Sequence, residues 1–181
     1  VEKIKLLVLP DDKRIKKLQK EYKGKTGNWE VILGNIGDKA ICKKLVEGVD
    51  YVVNLAAVIP PHSDKFPRKA VECNEIGVDN LVSIIETQKK QPKLIHFSTV
   101  ALYGNRNSHH PYGRIGDPLL VSPFDIYSAT KLRGEFRVLE SKLEKWAVLR
   151  ETAVLHKNML SDNMSDGLMF HTCFNAPLEW V

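Results

Sequence analysis

Short apolar runs of strand length alternate along this chain with stretches of helical periodicity, and this alternation limits the fold more than any other feature. Residues 4–9 are apolar apart from Lys5 and are stopped by Pro10, which suits a buried strand. Residues 29–33, closed by Gly34, read as a second strand, and residues 51–58, bounded by Pro60 and Pro61, as a third. Residues 93–99 and 146–149 supply a fourth and a fifth. Between the first two lies a basic, mostly helical stretch ending near Gly24 and Gly27. Asp38 opens a helix with Ile41, Leu45 and Val46 on one face, ended by Gly48. Val71, Asn74, Val78, Leu81, Val82 and Ile85 recur at helical spacing, with Asn74 the one amide in an apolar stripe. Residues 127–144 predict a last helix with Leu132, Phe136, Leu139 and Leu143 on one face. Strands alternating with helices imply right-handed crossovers and a parallel α/β sheet in three layers, helices on both faces. In such sheets ligands bind beyond the carboxyl ends of the strands, here residues 10–12, 34–36, 56–58, 98–100 and 150–152.

Composition removes several function classes. The chain has 181 residues and a formal charge of +5, and Lys13, Arg14, Lys16, Lys17, Lys20, Lys23 and Lys25 crowd its start. No aromatic interleaving or DNA-reading motif accompanies them, so they read as a solvated helix face and no nucleic-acid partner is expected. No apolar run reaches the length of a membrane span, and Val1 opens no signal-peptide pattern. The sequence does not start with methionine, so an upstream portion is expected to have been removed or left out. Cys42, Cys73 and Cys173 are odd in number, far apart and without metal-ligand spacing to histidine, which suits a reducing cytoplasm. His109 and His110 beside Pro111 read as a loop dipeptide, not a metal pair.

Tyr127 and Lys131 stand four residues apart on one helix face. A free tyrosine, with a pKa near ~10, is a poor base at neutral pH, but a close positive charge favours the phenolate by ~1–3 units. Such a tyrosine can take the proton of a substrate hydroxyl while hydride leaves the same carbon. The other reading is a surface tyrosine packed beside a snorkelling lysine. Context favours the first. Ser98 and Thr99 end a strand and place a hydroxyl where a parallel sheet exposes its site. Leu55, Ala56 and Ala57 end the preceding strand with mostly small residues, which let a ligand lie close to backbone. Asn74 is explained if its amide buttresses backbone near that place.

Together these residues resemble the extended short-chain dehydrogenase/reductase superfamily, in particular its nucleotide-sugar epimerases and dehydratases. The resemblance covers residues 1–154. It implies a Rossmann-like, doubly wound parallel sheet, a nicotinamide cofactor-binding domain over residues 1–155, and the start of a substrate-binding region over residues 156–181. Residues 34–38 resemble the segment that contacts adenine, with Asn35 in place of the usual aspartate and Ile36 beside it. Leu55, Ala56 and Ala57 are similar to the strand end that lines the cofactor diphosphate and ribose. Ser98 and Thr99, continuing to Tyr103 and Gly104, are similar to the strand that supplies the catalytic hydroxyl. Pro123, Tyr127, Lys131 and Glu135 match the catalytic helix and its approach, with Lys131 also a ribose ligand. Glu151 and Thr152 fall where the next strand passes the nicotinamide. Thr99, Tyr127 and Lys131 are thus the expected catalytic set, and Asn35, Ile36, Leu55, Ala56, Ala57, Asn74, Ser98, Tyr127, Lys131, Glu151 and Thr152 the expected cofactor contacts.

The departures from the family pattern carry their own expectations. The family opens with a strand and a glycine-rich turn that holds the diphosphate, and nothing here fits it. The first strand resembles the family's second, so the sheet is expected to be interrupted at its centre, as in a sequence covering part of a longer protein. A partner or swapped strand filling the gap and a degenerate protein are the other readings. Val100 and Ala101 occupy the positions where dehydratases carry an acid and a base, so dehydration is not expected. An asparagine that often binds substrate in the epimerases is replaced by Ala153. Asp11 and Asp12 point to NAD, Lys13 and Arg14 to NADP, and NAD is the leading choice. The expected activity is an NAD(P)-dependent sugar-nucleotide epimerase or alcohol/ketone oxidoreductase. The alternative is a non-catalytic dinucleotide-binding or interaction module. The expected partners are a small-molecule substrate of the nucleotide-sugar type and a second copy of the chain, with no membrane.

Overall fold

The computed structural model describes residues 3–12, 28–106, 108–109 and 111–152. The basic stretch expected to be mostly helical, with Lys13 and Arg14, and His110, Ala153, Cys173 and the region 156–181 lie outside them. The chain divides into two units, Val1–Arg150 and Glu151–Val181. The first is described below, and of the second only Glu151 and Thr152 are among the described residues.

The strands are β1 (Lys3–Val8), β2 (Asn28–Leu33), β3 (Tyr51–Asn54), β4 (Lys93–Thr99) and β5 (Trp146–Glu151). The helices are α1 (Lys39–Val46), α2 (His62–Lys65), α3 (Pro67–Val71), α4 (Gly77–Glu86) and α5 (Ile126–Leu139). A π-helical turn, Glu72–Ile76, joins α3 to α4, and a 3-10 turn, Val100–Tyr103, follows β4. Local chemistry sets several of these boundaries. Asp38 caps α1 by accepting from the Ala40 N–H at 2.8 Å, and Asp125 caps α5 by accepting from the Ser128 N–H at 3.0 Å. β3 ends at Asn54, short of the expected residue 58, because the Asn54 Oδ1 accepts from the Ala56 N–H at 3.2 Å. That local bond takes the backbone out of the ladder.

The strands form two sheets. β1 pairs with β2 in parallel, from Lys3 opposite Asn28 to Val8 opposite Leu33. β3 pairs with β4 in parallel, from Tyr51 opposite Lys93 to Asn54 opposite His96, and β5 flanks β4 on its other edge. Among the described residues no ladder joins β1 to β3, so the sheet is interrupted there. One core nevertheless serves both parts. Leu7 of β1 and Val52 of β3 pack on the cluster that holds Cys42 and Val46 of α1, Val78, Leu81, Val82 and Ile85 of α4, Leu94 of β4 and Val138 of α5. Each buried aliphatic side chain stabilises by roughly 1.5–3 kcal/mol. Lys5 adds a polar tie, its Nζ donating to the carbonyls of Lys44 at 2.8 Å and Glu47 at 2.6 Å at the end of α1.

Helix α5 differs from its expected pattern. It ends at Leu139, not near residue 144, where the Ser141 hydroxyl donates to the Val138 carbonyl at 2.6 Å. Phe136 and Leu139, expected on the core face, are 45% and 40% exposed. The buried residues are Ser128, Thr130, Lys131, Gly134, Glu135 and Val138. The cause is a close approach: a Cβ on Gly134 would lie 2.3 Å from the Asn74 carbonyl oxygen. The helix therefore turns a small and polar face inward, and its polar groups find partners there.

Gly134→Ala tests this packing. Alanine is the better helix former by ~1 kcal/mol, yet overpacking against backbone is expected to leave a net loss of about 1–3 kcal/mol. Urea unfolding measures it, and unchanged or higher stability would show that the helix has room to move.

Candidate active site

The loop beyond β3 meets the first turns of α5 through one side chain. The Asn74 Oδ1 accepts from the Val58 N–H at 2.8 Å, and its Nδ2 donates to the Val58 carbonyl at 3.0 Å and to the Thr130 hydroxyl at 3.1 Å. Thr130 in turn donates to the carbonyls of Ile126 at 2.8 Å and Tyr127 at 3.0 Å. The buttressing bonds expected of Asn74 thus run to the loop beyond β3 and to the turn that carries Tyr127. Asn74 sits in the π-helical turn, a distortion common at functional sites.

Thr99 is the last residue of β4 and caps the 3-10 turn, its Oγ1 accepting from the Ala101 N–H at 3.2 Å. Lys131 is 3% exposed, and its Nζ donates to the Phe97 carbonyl at 2.5 Å. Tyr127, one helical turn before it, is half-buried. Ser98 is buried beside the Glu135 carboxylate. Leu55 is exposed, and Ala56 and Ala57 are half-buried, so the strand end presents little side-chain bulk beyond Leu55. A cofactor held along backbone fits that profile.

Asn35 and Ile36 are partly committed elsewhere. The Asn35 Oδ1 accepts from the Gly37 N–H at 2.9 Å, and its Nδ2 donates to Glu72 at 3.0 Å. Ile36 is buried in the core, and its carbonyl accepts from Cys42 and Asn80. Any cofactor contact at Ile36 falls to its backbone N–H. Glu151 and Thr152 belong to the second unit.

Sequence reasoning missed two arrangements. His96 is fully buried on β4, and its Nδ1 accepts from the Asn54 Nδ2 at 3.1 Å. The Asn54 oxygen is engaged by Ala56, so the neutral ring carries its proton on Nε2, which lacks a hydrogen-bond partner among the described residues. Burial, reinforced by the Lys131 charge and opposed by Glu135, pushes the imidazole down to about 4. The second arrangement is a fork from Arg150 to Glu135, with Nη2 donating to Oε1 at 2.6 Å. Burial works to raise the Glu135 carboxyl, but the hydrogen bonds from Arg150, the nearby Ser98 side chain and the Arg150 charge hold it below the usual carboxylate range. Polar residues at core-facing positions were the only signal for either.

Comparison with known proteins shows the family and the fold. The model of the NAD dependent epimerase/dehydratase family matches residues 4–148. UDP-glucuronate 4-epimerase 3 of Arabidopsis thaliana is 32% identical over 108 residues, 58% of this chain and 24% of that protein. The dTDP-4-dehydrorhamnose reductase of Mycolicibacterium smegmatis is 30% identical over 115 residues, 63% of this chain and 34% of that protein. The chain therefore spans about a quarter to a third of the length of these relatives. A dTDP-glucose 4,6-dehydratase double mutant from Streptomyces venezuelae, solved with NAD bound, superposes with a TM-score of 0.66 at 19% identity. That alignment covers 81% of this chain and 45% of that one.

His96 provides a test of the buried arrangement that needs no ligand. An unfolded histidine titrates near ~6.5, so between there and about 4 the unfolded chain takes up a proton that the folded one refuses. This stability is complete above the upper value and is lost as pH falls, by roughly 2 kcal/mol at pH ~4.5. His96→Gln keeps an acceptor for Asn54 but does not titrate. Urea unfolding at neutral and acid pH should show the His96 protein losing more stability than the variant, and parallel losses would contradict the assignment.

Proposed function

The chain belongs to the NAD dependent epimerase/dehydratase family, and on that footing we propose that it serves as an NAD(P)-dependent sugar-nucleotide epimerase or alcohol/ketone oxidoreductase with Tyr127 as acid/base. The observation that carries this reading is the buried Lys131 ammonium, anchored on the Phe97 carbonyl one helical turn from Tyr127. An ammonium on the same helix face favours the phenolate where the two groups come within reach, and a phenolate can take the proton of a substrate hydroxyl. Thr99, at the end of β4, keeps a hydroxyl hydrogen to donate while its oxygen caps the 3-10 turn, and it orients the substrate oxygen. A nicotinamide cofactor, when bound, supplies the hydride acceptor and donor.

The backbone of Leu55, Ala56 and Ala57, with Asn35, the Ile36 N–H, Ser98, Tyr127 and Lys131, would hold that cofactor, and Asn74 keeps the Val58 loop in place beside it. NAD is the first choice and NADP the alternative. The names of the two relatives support nucleotide sugars as the first substrate class to try. Val100 and Ala101 cannot transfer protons, so dehydration is left out of the reading. Assembly as a homodimer and a cytoplasmic setting belong to it too; the free thiols of Cys42 and Cys73 suit the latter. Among the described residues no helix is long and apolar enough to cross a membrane.

The alternative is a dinucleotide-binding or interaction module of the same fold without turnover. Hydride transfer by the unmodified protein excludes it. Tyr127→Phe then tests the acid/base role, with a turnover loss of at least ~10²-fold expected while calorimetry shows NAD affinity nearly unchanged. Retained turnover with UDP-glucuronate or dTDP-4-dehydrorhamnose would remove Tyr127 from the chemistry.

A further inference from the structure

We propose that Glu135 and Arg150 form a positioning pair for the chemistry at Tyr127, an inference that rests on the reading above. The pair locks the turn following Thr99 onto the helix that carries Tyr127 and Lys131. Glu135 follows Lys131 by one turn of α5 and lies on the same face, 1% exposed. Arg150 meets it with Nε at 3.1 and 3.2 Å from the two carboxylate oxygens and Nη2 at 2.6 Å from Oε1. The remaining Nη1 donates to the Tyr103 hydroxyl at 2.8 Å, and the guanidinium carbon lies 5.0 Å from the centre of the Tyr103 ring.

Tyr103 closes the 3-10 turn that Thr99 caps. Its ring is also gripped by the loop that follows. A Cβ on Gly113 would lie 2.5 Å from the ring, and the Arg106 guanidinium is 5.6 Å from its centre. One guanidinium thereby joins the catalytic helix, the turn beyond Thr99 and strand β5.

A buried ion pair is a poor source of net stability, because desolvation offsets most of the attraction and an apolar pair of similar volume would serve as well. What it supplies is orientation. A planar fork on a carboxylate holds one geometry, whereas apolar surfaces slide. Thr99 and Tyr127 belong to different elements, so their spacing depends on what ties those elements together. Misplacement by ~1 Å costs on the order of 10² in rate. Lysine at position 150 could not bind both carboxylate oxygens and the phenol in this way.

The test uses the full chain with two variants. Arg150→Lys removes the fork, and the double variant Glu135→Gln with Arg150→Met leaves no lone buried charge. Amide exchange is followed at Ala101, whose N–H is held by Thr99, and at Leu120, whose N–H donates to the Leu102 carbonyl at 3.0 Å. Both should exchange at least about tenfold faster in the variants, while Val82 and Ile85 in α4 keep their rates. With NAD and UDP-glucuronate, kcat should fall on the order of 10–100-fold while KM for NAD stays within about two-fold. Unchanged exchange at Ala101 and Leu120 overturns the proposal. So does acceleration spread evenly over the core, which marks a purely stabilising pair, and so does local acceleration with kcat intact. Tyr127→Phe is measured alongside. If it keeps full turnover the acid/base reading falls separately, and the exchange measurement, which needs no substrate, still decides whether the pair holds the turn.

Discussion

The side chain of Asn74 makes three hydrogen bonds within the protein, and they tie together the parts from which the candidate site is built. Two of them take the N–H and carbonyl of Val58 in the loop beyond β3, and the third takes the hydroxyl of Thr130 on α5. Leaving a buried amide group unpaired costs about 1–3 kcal/mol, so loop and helix are held together by the need to satisfy it. The close contact of Gly134 with the Asn74 carbonyl acts in the same direction, since it brings the helix near enough for Thr130 to be reached. Tyr127 and Lys131 inherit their positions from this joint.

The inward face of α5 follows from the same closeness. A helix pressed against a turn has no space there for large apolar side chains, and Phe136 and Leu139 are left facing outward. The charged groups that remain inside are arranged so that each is answered. Glu135 is bonded by Arg150, Lys131 donates to the Phe97 carbonyl, and His96 stays neutral between them. This polar interior lies under the ends of β3 and β4, where a parallel sheet places its chemistry.

The interruption between β1 and β3 would leave two independent fragments if hydrogen-bonded ladders were the only cohesion. Packing prevents this. Leu7 and Val52 reach the same apolar cluster from the two sides of the break, and α1 and α4 span it. Because burial is non-directional and scales with area, a helix layer can bridge a gap that directional ladder bonds cannot. The break falls where the family's strand order puts a strand between the counterparts of β1 and β3, as the sequence led one to expect.

Much of this was legible in the residues themselves. The five strands, the cap at Asp38 and the spacing of Tyr127 and Lys131 depend on neighbours only a few positions away. Periodicity and short-range hydrogen bonding therefore reveal them. The early end of β3 was missed although its cause, the Asn54 to Ala56 bond, is local, because an apolar run hides it. For Asn74 only a backbone partner near the site was readable, and the partners of Glu135 and His96 were not readable at all, since they lie 15 or more positions away and polar groups of the right kind are common along the chain. By itself the sequence determined the α/β class, the order of the elements and the residue types available for proton transfer. The tertiary structure alone decided which buried donor meets which acceptor, because desolvation forces that choice only after the helices have packed.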